Sequence, residues 1–270
     1  MGIPYLPPVL TLGAYQFEAK LGDVRYNLDR IAAVVAGLSP GEVDILAFPE
    51  MCDTGYAMDV IRRQAVSWPA DHLQAIQSQA RAKGTAVLLG LSERIEADIF
   101  NTVAVIDRQG ELVFNYRKSH LVTIAPIHEQ RTITPGDTLG HFNLDGRSCG
   151  VLTCYELRFP EIARTLALKG AEILFVPAAW PVIRLDHLLV LARARAIENQ
   201  VFLVLCCRVG TDAATTFSGV SMILDPDGRV LTAGEQSGEE LLKAAFDPAR
   251  IDDSRRRIGA LNERRSGLYG

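Results

Sequence analysis

Cys154 is the residue best placed to do chemistry. It stands in Gly150-Val151-Leu152-Thr153-Cys154-Tyr155-Glu156-Leu157-Arg158-Phe159-Pro160-Glu161. There a short apolar run reads as a buried strand, and Pro160 fits the first turn of a helix. A thiol at such a junction is partly exposed, with backbone N–H groups aimed nearby, which suits a nucleophile and the oxyanion it generates. A buried core cysteine fits the same residues. Two more strand ends carry candidate partners. Leu46-Ala47-Phe48-Pro49-Glu50-Met51 sets a carboxylate directly after an apolar strand, at the sheet edge where α/β proteins bind ligands. A loop glutamate capping a neighbouring helix is the alternative. Tyr116-Arg117-Lys118-Ser119-His120-Leu121 places an ammonium in the same relation to its strand, with a solvated surface lysine as the alternative. No G-x-S-x-G elbow supports a serine nucleophile.

The elements that must hold these groups alternate. Strands are expected at 9–15, 43–48 and 86–91, with helices over 24–38, capped by Gly22-Asp23, and over 71–82. Residues 101–106 and 111–116 flank Asp107-Arg108-Gln109-Gly110, a hairpin with its turn written in the sequence. The second half repeats the rhythm: strand 149–153, helix 160–168, strand 172–176, helix 185–199, strand 201–207. A second hairpin, 219–224 with 229–232, turns at Asp225-Pro226-Asp227-Gly228, and 241–246 closes the sheet. This pattern predicts an α/β protein with two similar mixed sheets. The tail from 247 to 270 is rich in arginine and reads as a surface extension.

The chain has 270 residues, 48% hydrophobic and 22% charged, as expected of one large globular domain over residues 1–270. A net charge of -4 argues against a nucleic-acid surface. No apolar run reaches membrane-spanning length, and Met1-Gly2-Ile3-Pro4-Tyr5 has no basic stretch followed by an apolar core. Leu6 stands where a myristoylation signal needs Ser or Thr. The five cysteines show neither metal-type pairs nor a disulfide framework, so reduced thiols and a cytoplasmic location are expected. A redox-sensor role for Cys154 has only Cys149 as a nearby resolving thiol.

The segments F-P-E, Y-R-K-S-H-L and G-V-L-T-C-Y-E-L-R-F-P-E, in this order, resemble the three catalytic signatures of the nitrilase (carbon–nitrogen hydrolase) superfamily. His128-Glu129-Gln130-Arg131-Thr132-Ile133-Thr134-Pro135-Gly136 resembles the stretch around its additional glutamate, and 192–200 resembles its long helix behind the site. The resemblance implies a four-layer α-β-β-α sandwich and a Glu50–Lys118–Cys154 triad, with Glu129 holding Lys118 or the substrate. It implies that Cys154 attacks an amide carbonyl, Glu50 takes its proton, and Lys118 with the Tyr155 N–H holds the oxyanion. A carboxylate beside the thiol disfavours the thiolate and an ammonium favours it, so the three should titrate together. No metal or organic cofactor is implied. His120 and His128 are the alternative bases. Cys154 to Pro160, Ala179-Trp180-Pro181 and the long helix most resemble the ω-amidase-like branch, whose substrates are monoamides of dicarboxylates such as 2-oxoglutaramate or succinamate. Arg158 would then hold the carboxylate, and Tyr155, Trp180 and Phe217 would wall the pocket; core packing is the alternative for each aromatic. A nitrile, an N-carbamoyl amine or a non-catalytic interaction role on the same fold are the rival readings. The resemblance also implies a homodimer or a higher homo-oligomer, with helices 160–168 and 185–199 as the candidate contact.

Overall fold

The structure is a computed structural model that describes residues 9–67, 73–213 and 215–269. The readings of the first eight residues, and the expected start of a helix at Asp71, lie outside the described residues. The first half runs β1 (Leu10–Gln16), α1 (Val24–Gly37), β2 (Ile45–Ala47), α2 (Met58–Gln64), β3 (Val66–Ser67), α3 (Gln74–Lys83), β4 (Ala86–Ile95), β5 (Asp98–Ile106) and β6 (Leu112–Arg117). The second runs β7 (Gly140–Leu144), β8 (Arg147–Val151), α4 (Pro160–Leu168), β9 (Ile173–Ala178), α5 (Leu185–Asn199) and β10 (Phe202–Cys207). After these come β11 (Thr211–Asp212), β12 (Thr215–Thr216), β13 (Met222–Leu224), β14 (Val230–Ala233), β15 (Glu240–Phe246) and α6 (Ala249–Arg257).

Two mixed sheets result. One has the order β15-β1-β2-β4-β5-β6, with β3 beside β4, and the other β14-β13-β10-β9-β8-β7. In both, the central pairs β1–β2–β4 and β8–β9–β10 are parallel and the flanking pairs antiparallel. Side chains alternate across each strand, and the alternation sorts them into layers. Leu12, Ala14, Ile45, Leu88 and Val103 of the first sheet meet Val151, Phe175, Phe202 and Val204 of the second. Their neighbours Leu46, Val87 and Leu89 turn outward onto Leu28, Ile31 and Val35 of α1 and Ile76 and Ala80 of α3. On the other side Leu174, Val176, Leu203 and Leu205 meet Ile162 and Leu166 of α4 and Leu188 and Ala192 of α5. The order of layers is therefore α-β-β-α.

Helices α4 and α5 fall on the residues expected, the first opened by Pro160 at its first turn. Asp23 caps α1 by accepting from the Tyr26 N–H. Several features depart from the sequence reading, which did not include α2, β3, β11 or β12. The strand near 241–246 closes the first sheet rather than the second, pairing antiparallel with β1. β7 was not expected; its glycine and histidine mask an alternating burial pattern. The tail expected as a surface extension instead forms α6, which buries Ile251 against the inter-sheet core and Ser254 beside the second hairpin. Of its arginines, Arg250 pairs with Asp225 and Arg257 with Asp227 at the surface, while Arg255 is half-buried.

Candidate active site

Three strand ends deliver the key side chains to one place. After β2 the chain turns at Phe48-Pro49, pinned to β4 by the Phe48 N–H on Leu88 O and the Cys52 N–H on Gly90 O, both 2.8 Å. The approach is close: a Cβ on Gly90 would lie 2.5 Å from Pro49 O and 2.6 Å from Glu50 Cα, so only glycine lets the Glu50 turn lie on the strand. After β6 the Lys118 N–H bonds Asn101 O at 2.8 Å. After β8 the chain enters a tight 3-10 turn, Cys154–Arg158, whose start is closed by a capping box between Thr153 and Glu156. Cys154 itself has φ +47°, and Met51 (+50°) and His128 (+47°) adjoin Glu50 and Glu129. Left-handed backbone at such residues costs about 1–3 kcal/mol each and persists where the surroundings enforce it, often at functional sites.

The side chains that meet there are buried. Lys118 Nζ donates to Glu50 Oε1 and to Glu129 Oε1, each at 2.9 Å, and all three side chains are 0% exposed. Glu50 also accepts from Asn101 Nδ2 at 2.7 Å and from the Ala179 N–H at 2.8 Å. Glu129 accepts from the Tyr56 hydroxyl and the Val122 N–H, both at 2.7 Å. Glu50 is close enough to Cys154 for its charge to bear on the thiol. Burial works against the Lys118 ammonium, but Glu129 and Glu50 together outweigh it and hold the amine well above the usual lysine range, so it stays charged. Burial, and then the Glu50 charge, push the Cys154 thiol well up; Lys118 opposes them and loses. At the thiol, burial and the Glu50 charge thus outweigh the Lys118 ammonium.

Glu156, two residues beyond the thiol, ties two of the strand ends together. Its Oε2 accepts from the Thr153 N–H, and its Oε1 from the Ser119 N–H, Ser119 Oγ and the Tyr116 hydroxyl, all at 2.7 Å. Burial opposes its charge, but these donors and His120 hold its carboxyl below the usual range. The buried Glu156 carboxylate is thus the rivet between the lysine loop and the cysteine turn.

A cavity of about 410 Å³ opens over Cys154. Tyr155, Arg158 and Trp180 line it together. Arg158 lies 4.6 Å over the Trp180 ring, and its Nη1 is 3.3 Å from His187 Nδ1. Tyr56, Val122, Ile124, Ile127 and Arg184 also line it. Among the described residues neither Arg158 nor Arg184 forms an ion pair with a carboxylate. Phe217 does not line the cavity; it is buried behind Tyr56, edge-on at 6.2 Å. His120 and His128 do not line it either: His120 packs on Phe159 and the His128 ring contacts Thr123 O at 2.9 Å. Asn101, Tyr56 and Glu156 are the partners that reading the sequence missed. Glu156 lay inside a recognised signature, whereas Asn101 and Tyr56 carry no local signal, since their roles depend on which strand lies beside which.

These features define a cysteine hydrolase site at the edge of an α-β-β-α sandwich, and comparison with known proteins agrees. The family model described as carbon-nitrogen hydrolase matches residues 11–256, and this chain belongs to that family. A 2-oxoglutaramate amidase of Bacillus subtilis (strain 168) is 33% identical over 267 residues, 96% of this chain and 99% of that protein. An (R)-stereoselective amidase of a Pseudomonas species is 32% identical over 263 residues, 94% of this chain and 91% of that protein. The crystal structure of Saccharomyces cerevisiae Nit3, a member of branch 10 of the nitrilase superfamily, superposes with a TM-score of 0.86 at 27% identity, covering 96% of this chain and 98% of its own.

Proposed function

We propose that the protein hydrolyses the carbon–nitrogen bond of a small carboxylate-bearing amide, a monoamide of a dicarboxylate, through a thioester on Cys154. The observation that carries this reading is Lys118 locked between Glu50 and Glu129, with Cys154, Arg158 and Arg184 lining one cavity. The Cys154 sulfur forms a bond to the amide carbon as Glu50 takes the thiol proton. The carbonyl π electrons move to oxygen, where Lys118 Nζ and the Tyr155 N–H, at the start of its 3-10 turn, receive the oxyanion. Glu50 hands its proton to the leaving nitrogen, the C–N bond breaks, and ammonia departs. Glu50 then takes a proton from water, whose oxygen attacks the thioester; the C–S bond breaks, the acid leaves, and Glu50 returns its proton to the sulfur. Glu129 keeps Lys118 aimed throughout.

The name of the B. subtilis relative supports a dicarboxylate monoamide, and the unpaired guanidinium of Arg158 suits its far carboxylate. Arg158→Met is expected to raise KM for succinamate about ten- to a hundredfold, the worth of a hydrogen bond to a charged group, with KM for neutral butyramide unchanged. Steady-state kinetics on both amides check it. The functional reading is tested by an ammonia-release screen over small ω-monoamides, nitriles and N-carbamoyl compounds, with Cys154→Ala as the blank. Release from dicarboxylate monoamides supports it; turnover of nitriles alone, or of neutral amides alone, contradicts the substrate class.

The protein is further proposed to act in a reducing compartment such as the cytoplasm, since all five of its cysteines are free and buried. It is also proposed to pair with a second copy. Val190 and Ile197 of α5 are 67% and 49% exposed seven residues apart, Ile183 in the 3-10 turn before α5 is 79% exposed, and Leu168 of α4 is 48% exposed. Such a stripe is costly to leave in water. Light scattering is expected to give twice the chain mass, reduced to the chain mass in a Val190→Asp, Ile197→Asp variant.

A further inference from the structure

We propose that Tyr56 is a positioning residue of this site, whose hydroxyl holds Glu129 and through it the Lys118 ammonium, and whose own place is fixed from behind by the buried Arg208–Asp212 pair. The inference deepens the amidase reading and rests on it for its kinetic consequence. The two carboxylates around Lys118 are held alike. Each takes the same ammonium, one backbone N–H and one neutral side-chain donor, which is Asn101 for Glu50 and Tyr56 for Glu129. Of the two neutral donors, only Tyr56 also lines the cavity over Cys154.

Tyr56 is held with unusual care for a loop residue. Its N–H donates to Asp212 Oδ2 at 2.7 Å. Arg208 grips Asp212 with both guanidinium nitrogens, Nη2 reaching Oδ1 at 3.1 Å, and the same Nη2 donates to Ala19 O at 3.1 Å. The Arg208 guanidinium lies 4.2 Å over the Phe217 ring, and Phe217 meets Tyr56 edge-on. Gly55 has φ +75°, and a Cβ there would lie 2.9 Å from Asp212 Oδ2, so the chain approaches the carboxylate as closely as glycine permits. A buried ion pair is weak support for stability but a good device for fixing one geometry. Here the geometry it fixes is the phenol on Glu129. Burial, and then the charge of Glu129, push the Tyr56 hydroxyl well up, which keeps it a donor.

The groups facing Glu129 and Tyr56 are Lys118, Glu50 and Cys154 on the cavity side, Asp212 and Arg208 behind, and Arg62 of α2 on the neighbouring Arg131 O and Thr132 hydroxyl. Without the phenol O–H, the Glu129 carboxylate loses one of three donors and holds Lys118 less firmly. The ammonium then shifts towards Glu50, away from the oxyanion and from Cys154, whose thiolate it favours.

The test is Tyr56→Phe, which removes one oxygen and leaves the ring on Phe217. It reads kcat, KM and the acid limb of the pH profile for succinamate, and separately the pH profile of Cys154 alkylation by iodoacetamide, followed by mass spectrometry of the Cys154 peptide. The expected result is a fall in kcat of about ten- to a hundredfold, KM unchanged, and both acid limbs displaced to higher pH. Asp212→Asn, which keeps an acceptor for the Tyr56 N–H but not the charge held by Arg208, should displace the limbs in the same direction if it folds. Unchanged acid limbs in Tyr56→Phe overturn the inference whatever happens to stability. A rise in KM alone overturns it too, by making Tyr56 a mere wall of the cavity. If the wild type hydrolyses no amide while the alkylation limb still moves, the amidase reading fails and the positioning role stands.

Discussion

Glu50→Gln is expected to lower kcat for the amide substrate by about 10²–10⁴-fold, the range for losing a positioned general base. The amide group keeps the shape of the carboxylate but cannot take the thiol proton. In this site the loss is not relieved by ionisation of the thiol, because burial as well as Glu50 pushes Cys154 up. Removing the Glu50 charge lets Lys118 lower it, but burial, the largest influence, remains. The substitution also carries a structural penalty. Oε1 faces Lys118 and Asn101 while Oε2 faces the Ala179 N–H, so one side of the glutamine presents a donor to a donor. That mismatch costs about 1–3 kcal/mol. Single-turnover kinetics with a folded variant separate the two effects; a kcat within threefold of wild type contradicts the base role.

Lys118→Met should be damaging twice over. Loss of an oxyanion donor removes about 3–4 kcal/mol of transition-state stabilisation, or about 10²–10³ in kcat. The variant also leaves Glu50 and Glu129 buried beside each other without their shared cation, and breaking a buried pair typically costs about 3–5 kcal/mol. For a chain of this size that corresponds to a fall in Tm of roughly 10 °C. The pH dependence follows from linkage. In the wild type the Lys118 pKa is raised on folding, so its contribution is present at every pH below the unfolded lysine value of about 10.4 and is lost only as pH rises through the folded value. In the variant the two facing carboxylates repel, so a lower Tm is expected at neutral pH, read by thermal melts of the two proteins. An equal Tm would show that the carboxylates are held by their other donors alone.

Much of this arrangement was legible because each reacting group ends a strand whose hydrophobic run is local. The runs before Glu50, Lys118 and Cys154, and Pro160 with the stretch of α4 after it, are read within a window of about ten residues. What stayed hidden depends on neighbours distant along the chain. Asn101 serves Glu50 because β5 lies beside β4, and Tyr56 reaches Glu129 because Asp212 and Arg208, over 150 residues on, hold its backbone. β15 crosses to the first sheet for the same reason: an edge strand has no local mark of which edge it joins. The thiol's protonation was also out of reach of spacing, since it turns on burial, and Cys154 is only 4% exposed.

The central claim, that Cys154 carries the acyl group during turnover, is tested most directly by acid-quenching the enzyme during turnover of succinamate and weighing the Cys154 peptide. A succinyl adduct on that peptide, absent from Cys154→Ala and lost again when substrate is exhausted, is the predicted result. Steady ammonia release with no adduct on Cys154, persisting in Cys154→Ala, would contradict it.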